Sequence, residues 1–425
     1  MKSLKQSLVL LVGSGASMPC GVPGTASLTK TAFTQLPSQE MRRIFIEALR
    51  GAYGTISFEL LLYALENLSP FIESAGVESP TRRPILSLFA DLLTRYRLLY
   101  DRETLEMALV DIVRAIHKEV GDASKLYQGH RCQAQLTAQD RFLRACAERF
   151  RLIVINLNYD TLYDQAPIDW QDGFAQGGAT GRSFQAFNSG KWLDSFDSSD
   201  HLLIHLHGSA RFAYASADVI SQLSQFHEQV CYESPELAAA AFPRLPNFAR
   251  NALDKAGLPI ISGLGKVLKL SHNMRPYGHY QFTAMRALFQ IPRLLVIGYG
   301  GLDDHVNIWL EEHAAIHGVR RRAAAILTRR GEEVDKPSAK RSLLEMLAGG
   351  DGWNALRNFA FDGPEKALWF GGYLALAPSG APEAYEYADE ILTFLGEAGQ
   401  PLIDAVVDSA HALRKAIPKR PAMTP

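Results

Sequence analysis

The sequence has few cysteines, almost no net charge and no long apolar run. Its cysteines are Cys20, Cys132, Cys146 and Cys231, which lie far apart and include no C-x-x-C pair. This spacing argues against a zinc ribbon and a disulfide framework, and it fits the reducing cytoplasm. The formal net charge of −1 gives no global attraction to nucleic acid or anionic lipid. We therefore expect a cytoplasmic protein that does not bind nucleic acid directly.

The sequence also lacks a segment that is long and apolar enough to span a bilayer. Lys2 and Lys5 precede the short apolar run Ser7–Gly13, as basic residues do in a signal peptide. That run is too short for a typical signal core and leads directly into a glycine loop. With 425 residues, of which 47% are hydrophobic, the chain can instead bury a large core and form more than one domain.

Apolar runs predict strands at Ser7–Val12, Leu152–Ile155, His201–Leu206 and Arg293–Ile297, with Ala323–Thr328 as a fifth candidate. The run Leu152–Ile155 is rich in β-branched residues, and it predicts a strand that is buried on both faces, as in a parallel sheet. A long region of helical spacing, about residues 28–148, separates the first two strands. This alternation of strands and helices predicts an α/β fold with a parallel sheet and a large helical insertion.

Small or polar residues follow each of the first four strands at its carboxyl end. Asn158 and Asp160 follow the second strand, and His207 follows the third. In open α/β sheets, ligands bind at this edge. Each strand end also has an ordinary explanation, since Asp160 can cap a turn and a terminal histidine is often only a satisfied polar residue. Four such ends together predict a ligand site.

The first and fourth strands end in glycine-rich loops. The first leads into Gly13-Ser14-Gly15-Ala16-Ser17, where small residues allow close backbone approach and N–H groups can point at phosphate oxygens. The spacing is not a full dinucleotide fingerprint, and an ordinary strand-to-helix turn explains it equally well. The fourth strand leads into Gly298-Tyr299-Gly300-Gly301, after which Asp303 or Asp304 can cap the next helix.

The C-terminal part of the chain is predicted to be mostly helical. The predicted helices are Ser338–Ala348, Pro364–Ala377 and Pro382–Ile417. Trp369–Gly380 offers candidate exposed apolar surface, although such surface more often packs onto the chain's own core. We expect a homo-oligomer that is built partly through Ser338–Ile417.

Four motifs in this order carry a resemblance to a known family: GSGAS-x-x-x-GVPG, NYDTLYD, HLHGS and IGYGGLDDHVN. Together they resemble the sirtuin-like domains of bacterial antiphage defence proteins, over about Ser7–His317. The resemblance implies a Rossmann-like, NAD-binding domain over residues 1–330 with a helical insertion at about 28–148. Residues 331–425 would then form the mostly helical C-terminal region.

The resemblance also implies roles for individual residues. Asn158 would match the family's catalytic asparagine, and His207 its catalytic histidine. The residues that contact or support NAD would be Gly13, Ser14, Gly15, Ala16, Ser17, Asp160, Gly298, Tyr299, Asp303 and Asp304.

Two departures from the deacetylating sirtuins bear on the activity. Those enzymes carry a zinc module with paired cysteines, which this sequence lacks, and an acidic-basic continuation where this sequence has GVPG. Both departures favour hydrolysis of NAD+ itself. The resemblance thus implies an NAD+ glycohydrolase that uses NAD+ as its substrate, needs no metal and serves antiphage defence by abortive infection. An NAD-dependent protein deacylase and a non-catalytic NAD sensor remain as alternatives.

The residue types suit cleavage of the nicotinamide–ribose bond, which passes through an oxocarbenium-like state. Asn158 offers a donor and an acceptor on a short side chain, and His207 can accept a proton near neutral pH. A free NADase would kill its host, so we expect oligomerisation or a partner protein to control it. The resemblance implies a HerA-like ATPase or a short Argonaute-type protein as that partner.

Overall fold

The computed structural model of the chain centres on an eight-stranded sheet. It describes residues 5–73, 102–125, 133–174, 184–198, 201–214, 229–241, 260, 266, 274–326, 368–370, 374–377, 385 and 388–396. The strands are β1 (Gln6–Val12), β2 (Phe150–Asn156), β3 (Trp170–Gln171), β4 (Phe184–Ala186), β5 (His201–His205), β6 (Phe212–Tyr214), β7 (Gln229–Tyr232), β8 (Arg293–Ile297), β9 (Arg322–Ile326), β10 (Leu368–Phe370) and β11 (Leu374–Ala377).

Helices cover this sheet and form a separate layer beside it. They are α1 (Ser14–Ser17), α2 (Thr25–Thr34), α3 (Gln39–Tyr53), α4 (Phe58–Glu73), α5 (Arg102–Ser124), α6 (Gln133–Arg149), α7 (Ser189–Ser198), α8 (Pro235–Ala240), α9 (His279–Gln290), α10 (Asp304–His317) and α11 (Ala388–Gly396). None of the helices that the structure describes combines the length and the apolar character needed to cross a membrane.

The order of the main sheet places β1 between strands that are distant in sequence. The order is β10-β11-β9-β8-β1-β2-β5-β3, and β4, β7 and β6 form a second, antiparallel sheet. All pairs of the main sheet are parallel except β10 with β11. The chain runs outward from β1 on the β2 side and then returns to the β8 side. This reversal is a topological switch point, outside which open α/β sheets bind ligands.

The alternation of side chains in β1 explains why helices cover both faces. Val9 and Leu11 share one apolar cluster with α9, whereas Leu8 and Leu10 share another with α6. Successive strand residues point to opposite faces, and each of these four is fully buried. Leu152–Ile155 of β2 alternate between the same two clusters and are fully buried, which confirms the two-sided burial predicted for that run. The α/β parallel-sheet fold is confirmed as well.

The helical insertion has a hydrophobic core of its own. Helices α2 to α5 share one cluster of buried residues, which also takes in Val230 and Tyr232 of the small sheet. Helix α4 begins after Ser57, whose Oγ accepts a hydrogen bond from the Leu60 amide at 3.1 Å, as expected of an N-cap. Helix α6 instead packs against the main sheet through Phe142. The insertion core therefore ends with α5.

The predicted helix over Pro364–Ala377 is wrong. Strands β10 and β11 pair antiparallel there, and β11 extends the main sheet beside β9. The two short apolar runs on either side of Gly371-Gly372 are a hairpin signal, and helical spacing of the apolar residues obscured it. Helix α11 lies within the predicted Pro382–Ile417, whereas Ser338–Ala348 is outside the described residues. The C-terminal region is thus not exclusively helical, because it contributes strands to the main sheet.

Helix α11 joins the core of the main sheet. Leu395 is fully buried in the cluster that contains α6 and β9 residues, and its carbonyl accepts a 2.8 Å hydrogen bond from Arg293 Nε. The C-terminal helix therefore helps to cover one face of the sheet.

We predict that Leu395→Ala lowers the free energy of unfolding by about 2–5 kcal/mol, the usual cost of emptying a buried leucine site. The matched control is Leu193→Ala at a residue that is 47% exposed, where we expect a change of about 0.5 kcal/mol or less. Urea denaturation measures both. Equal effects of the two substitutions would contradict the packing of α11 onto the core.

Candidate functional site

The carboxyl ends of the central strands lie on one line. Val12 of β1 pairs with Asn156 of β2 and with Ile297 of β8, and Asn156 pairs with His205 of β5. Because these ends are in register, the loops that follow them meet at one edge of the sheet. One or two residues after these strand ends, the chain carries Gly13, Asn158, His207 and Tyr299.

A pocket lies at this edge and brings together most of the predicted site residues. Those that line it are Gly13, Ser14, Ser17, Asn158, Asp160, His207, Tyr299 and Asp303. The helical insertion closes another side of the pocket with Leu28, Phe58 and Glu59. The site is therefore shared between the sheet edge and the insertion.

The other predicted residues lie outside the lining of this pocket. Gly15 donates its amide to the Gly298 carbonyl at 2.9 Å, which joins the β1 loop to the β8 loop. Gly298 has φ of +61°, and a Cβ there would lie 2.2 Å from the Ala16 backbone nitrogen. Gly15, Ala16 and Gly298 thus form the contact between two loops, and Asp304 is the first residue of α10. Their roles toward NAD stay predictions.

Asn158 ties the β2 loop to the glycine loop. Its amide donates to Asn156 Oδ1 at 3.0 Å, and its Nδ2 donates to the Gly13 carbonyl and to Ser17 Oγ, each also at 3.0 Å. Both hydrogens of Nδ2 are therefore engaged. The side-chain atom left for a ligand is the acceptor Oδ1.

Asp160 is a fully buried carboxylate at the pocket wall. Its Oδ1 accepts the Leu162 amide at 3.1 Å. The Ser17 hydroxyl also interacts with the carboxylate, but Oδ2 has no partner at full hydrogen-bond geometry within the described part of the chain. Burial raises the pKa of Asp160, and the Ser17 hydroxyl and the Leu162 amide offset this only in part. A buried acceptor without a partner is costly, so a ligand hydroxyl would stabilise it.

His207 is buried against a second histidine. Its Nε2 lies 3.4 Å from Nε2 of His305, and its ring also hydrogen-bonds to the backbone of Leu157. Burial, with a smaller contribution from the charge of Lys266, lowers the pKa of His207 to about 3. Burial likewise lowers the pKa of His305 to about 4. Both rings are therefore neutral near pH 7, and the His207 lone pair carries no proton there. A ring with this pKa is a weaker base than the histidine titrating near neutral pH that the sequence led us to expect.

An ion cluster that the sequence did not predict lies beside His207. Lys266 Nζ lies 3.0 Å from Glu59 Oε1 and also contacts Asp303 Oδ1. Burial alone raises the pKa of Asp303, but the neighbouring His207 and Lys266 outweigh it and lower this pKa to about 2. These partners come from three distant parts of the sequence. The one local signal was a lysine after the glycine-rich run Ser262–Gly265.

The sequence allowed either Asp303 or Asp304 to cap α10, and Asp303 does not do so with its side chain. It occupies the N-cap position, yet its carboxylate makes no capping hydrogen bond, because it is paired with Lys266. Tyr299 holds the loop instead: its hydroxyl accepts the Asp303 amide at 3.1 Å and donates to Asn307 Oδ1 at 2.8 Å. The tertiary ion pair thus overrides the local cap.

The pocket combines several chemical functions. A neutral imidazole, an amide oxygen and a buried carboxylate oxygen lie along its wall, supplied by His207, Asn158 and Asp160. Such groups can accept hydrogen bonds from sugar hydroxyls or take a proton from water.

Comparison with known protein families gives a match. A family model described as a SIR2-like domain matches residues 152–347. No curated protein matches the chain. The matched range contains Asn158, His207 and Tyr299 but not β1 or the loop after it. Because β1 pairs with both β2 and β8, that strand completes the sheet of the matched region.

The close contact between the loops after β1 and β8 predicts that a side chain at Gly13 would destabilise the protein. A Cβ on Gly13 would lie 2.7 Å from both the Gly298 carbonyl oxygen and the Tyr299 Cα, which are backbone atoms. We expect Gly13→Ala to lower the free energy of unfolding by about 1–3 kcal/mol through overpacking.

The matched control is Gly51→Ala in α3, where a Cβ would meet nothing within 4 Å. There we expect no loss, or a gain of about 0.5–1 kcal/mol from higher helix propensity. Chemical denaturation of both variants measures the difference. Wild-type stability of Gly13→Ala would show that the loops are not in close contact.

Proposed function

The chain carries a SIR2-like domain over residues 152–347, and from this premise we propose that its pocket binds NAD+ and hydrolyses the nicotinamide–ribose bond. SIR2-like domains bind NAD+ in general. One observation supports the proposal above all: a neutral, buried His207 lines the same pocket as Asn158, Asp160 and the glycine loop after β1.

The proposed reaction needs one base and several hydrogen-bond acceptors. The bond between C1′ of the ribose and the nicotinamide nitrogen breaks, and its electron pair leaves with nicotinamide, which departs neutral. Water then attacks the electron-poor C1′ and gives up a proton, so that the products are ADP-ribose, nicotinamide and a proton. His207 takes the proton from water, and Asn158 Oδ1 and Asp160 Oδ2 accept hydrogen bonds from water or ribose hydroxyls.

The charge of the pocket supports the same substrate. Lys266 is one cation between two carboxylates, those of Glu59 and Asp303. This part of the wall is therefore net negative, and it attracts the positively charged nicotinamide ring. The ring becomes neutral on leaving, which weakens that attraction after cleavage.

The cysteines support hydrolysis over protein deacylation. Cys20, Cys146 and Cys231 are buried thiols in three separate clusters of the core. A structural zinc module needs its thiolates to converge on one ion. Within the described residues, these three thiols do not belong to any converging group of potential metal ligands.

A role in antiphage defence by abortive infection is part of the proposal, and it rests on the resemblance of the motifs. The proposal also includes a homo-oligomer and a separately encoded partner, such as a HerA-like ATPase or a short Argonaute-type protein, and both rest on the same resemblance. The predicted assembly region Ser338–Ile417 includes β10, β11 and α11, which belong to the main sheet and its cover. An oligomer contact would therefore use the remaining surface of that region.

The first experiment incubates the purified full-length protein with NAD+, with and without an acylated peptide. We expect NAD+ loss and nicotinamide release without peptide. Loss only with peptide would instead identify a deacylase, and binding without loss would identify a sensor. Chromatography of the products and calorimetric NAD+ titration separate these three outcomes.

We predict that His207→Ala lowers NAD+ turnover by about 10²–10⁴-fold, the usual contribution of a general base, while NAD+ affinity changes little. Asn158→Ala should lower turnover as well, and it should also destabilise the loop because the Gly13 carbonyl loses its donor.

The control is His279→Ala at a partly buried histidine that stacks on Phe187 away from the pocket. It should keep wild-type turnover. Wild-type turnover in a folded His207→Ala protein would refute the assignment.

A further inference from the structure

His207, Asp303 and His305 form a compact group of three potential metal ligands. One nitrogen of each histidine and one carboxylate oxygen of Asp303 lie within 4.8 Å of one another. His207 is 2% exposed and His305 is 6% exposed. Two imidazoles and one carboxylate are a donor set that zinc sites with an open position commonly use. The sequence, by contrast, led us to expect no metal.

The distance between the two rings fits a shared ion. The Nε2 atoms of His207 and His305 are 3.4 Å apart. Two zinc–nitrogen bonds of ~2.0–2.1 Å at a tetrahedral angle put their nitrogens about 3.3–3.4 Å apart. The same distance is long for a hydrogen bond, since N–H···O bonds in proteins span about 2.7–3.2 Å.

Another histidine pair in the protein shows the contrast. His313 and His317 also have neighbouring rings, at a centroid distance of 4.6 Å. Each of their Nε2 atoms is engaged by a backbone carbonyl, of Ile291 at 3.1 Å and of Leu288 at 2.9 Å respectively. That pair is satisfied by the backbone, whereas the Nε2 atoms of His207 and His305 face each other, and one nitrogen of each ring lies within 4.8 Å of an Asp303 carboxylate oxygen.

The surroundings of the group suit metal binding. A histidine that ligates a metal commonly donates its other N–H to a carbonyl, and the His207 ring has such a partner in the backbone of Leu157. Lys266 contacts Asp303, but it also lies 3.0 Å from Glu59 Oε1. Lys266 can therefore remain paired with Glu59 when a metal takes the Asp303 carboxylate.

We propose that His207, Asp303 and His305 bind a divalent transition-metal ion, for which Zn²⁺ is the best match, with its open position toward the pocket. The ion takes the lone pair of His207. If His207 is the base of the proposed function, bound zinc inhibits NAD+ cleavage. Only this second statement rests on the proposed function, because metal binding itself depends on the three ligands alone.

The test of binding uses the full-length protein after treatment with a chelator. Calorimetric titration with ZnCl2 should give one ion per chain. His305→Gln should weaken zinc binding by at least about tenfold, because mutation of a residue that only hydrogen-bonds to a metal ligand already lowers metal affinity about 10–100-fold. His279→Gln is the matched control and should keep wild-type affinity. Absence of binding, or equal binding by both variants, would overturn the proposal.

A second measurement needs no variant. Co²⁺ in place of Zn²⁺ should give the visible absorption of a four-coordinate ion without the ultraviolet band of a cobalt–thiolate bond. A thiolate band would assign the metal to cysteines and overturn the site.

Activity then separates the two proposals. Zinc that slows NAD+ cleavage reversibly, with recovery on chelation, supports both of them. Zinc binding by a protein that never cleaves NAD+ under any tested condition supports the metal site and counts against the proposed function. NAD+ cleavage without zinc binding overturns the metal site and leaves the proposed function intact.

Discussion

The contact between the loops after β1 and β8 is the constraint on which the rest of the site depends. Gly298 approaches the backbone of Gly15 and Ala16 so closely that no side chain would fit between them. This approach sets the height of the glycine loop above the sheet. Asn158 can then reach both Gly13 and Ser17 with one amide group. A shift of either loop would break that bridge and move the pocket wall.

Buried polar groups then shape the interior of the pocket. The wall holds an ion cluster around Lys266, a histidine pair and the carboxylate of Asp160. Each group needs its partner because unpaired charges are costly away from water. The helical insertion supplies Glu59 to this network, so the insertion is part of the site as well as a cover for it. A change in the position of α4 would therefore alter the charge that the pocket presents.

The central sheet could be predicted because its information is local. Apolar runs such as Leu152–Ile155 are buried on both faces, and each carries its own signal of a parallel strand. The strand-end motifs could be predicted for the same reason. The pairing of Lys266 with Glu59 and Asp303 could not, since it depends on how distant segments meet in space. For Asp303, the local rule predicted a cap and the tertiary ion pair prevailed.

The C-terminal hairpin shows a different limit. The run Leu368–Ala377 has apolar residues at spacings that suit a helix as well as strands, and the pairing of β11 with β9 decides between them. The antiparallel pair within the run is local, and the adjacent glycines pointed to it. Its place in the sheet depends on a strand nearly fifty residues earlier in the chain. Short apolar runs of this kind are ambiguous until their neighbours are known.

The central position of β1 has a consequence for how the protein is made. Among the strands that the structure describes, β1 is the first to emerge from the ribosome, yet its partners β2 and β8 begin only at Phe150 and Arg293. At about 5–20 residues per second, β8 follows β1 by roughly 15–60 seconds. During that interval this strand, whose residues Leu8–Val12 are fully buried in the folded protein, has one partner at most. Helices α2 to α5, whose core is largely local in sequence, are the part of the nascent chain suited to fold first and shield it. The pocket is completed only after β8 and the loop that carries Tyr299 and Asp303 have emerged, so a growing chain has no complete site before that point.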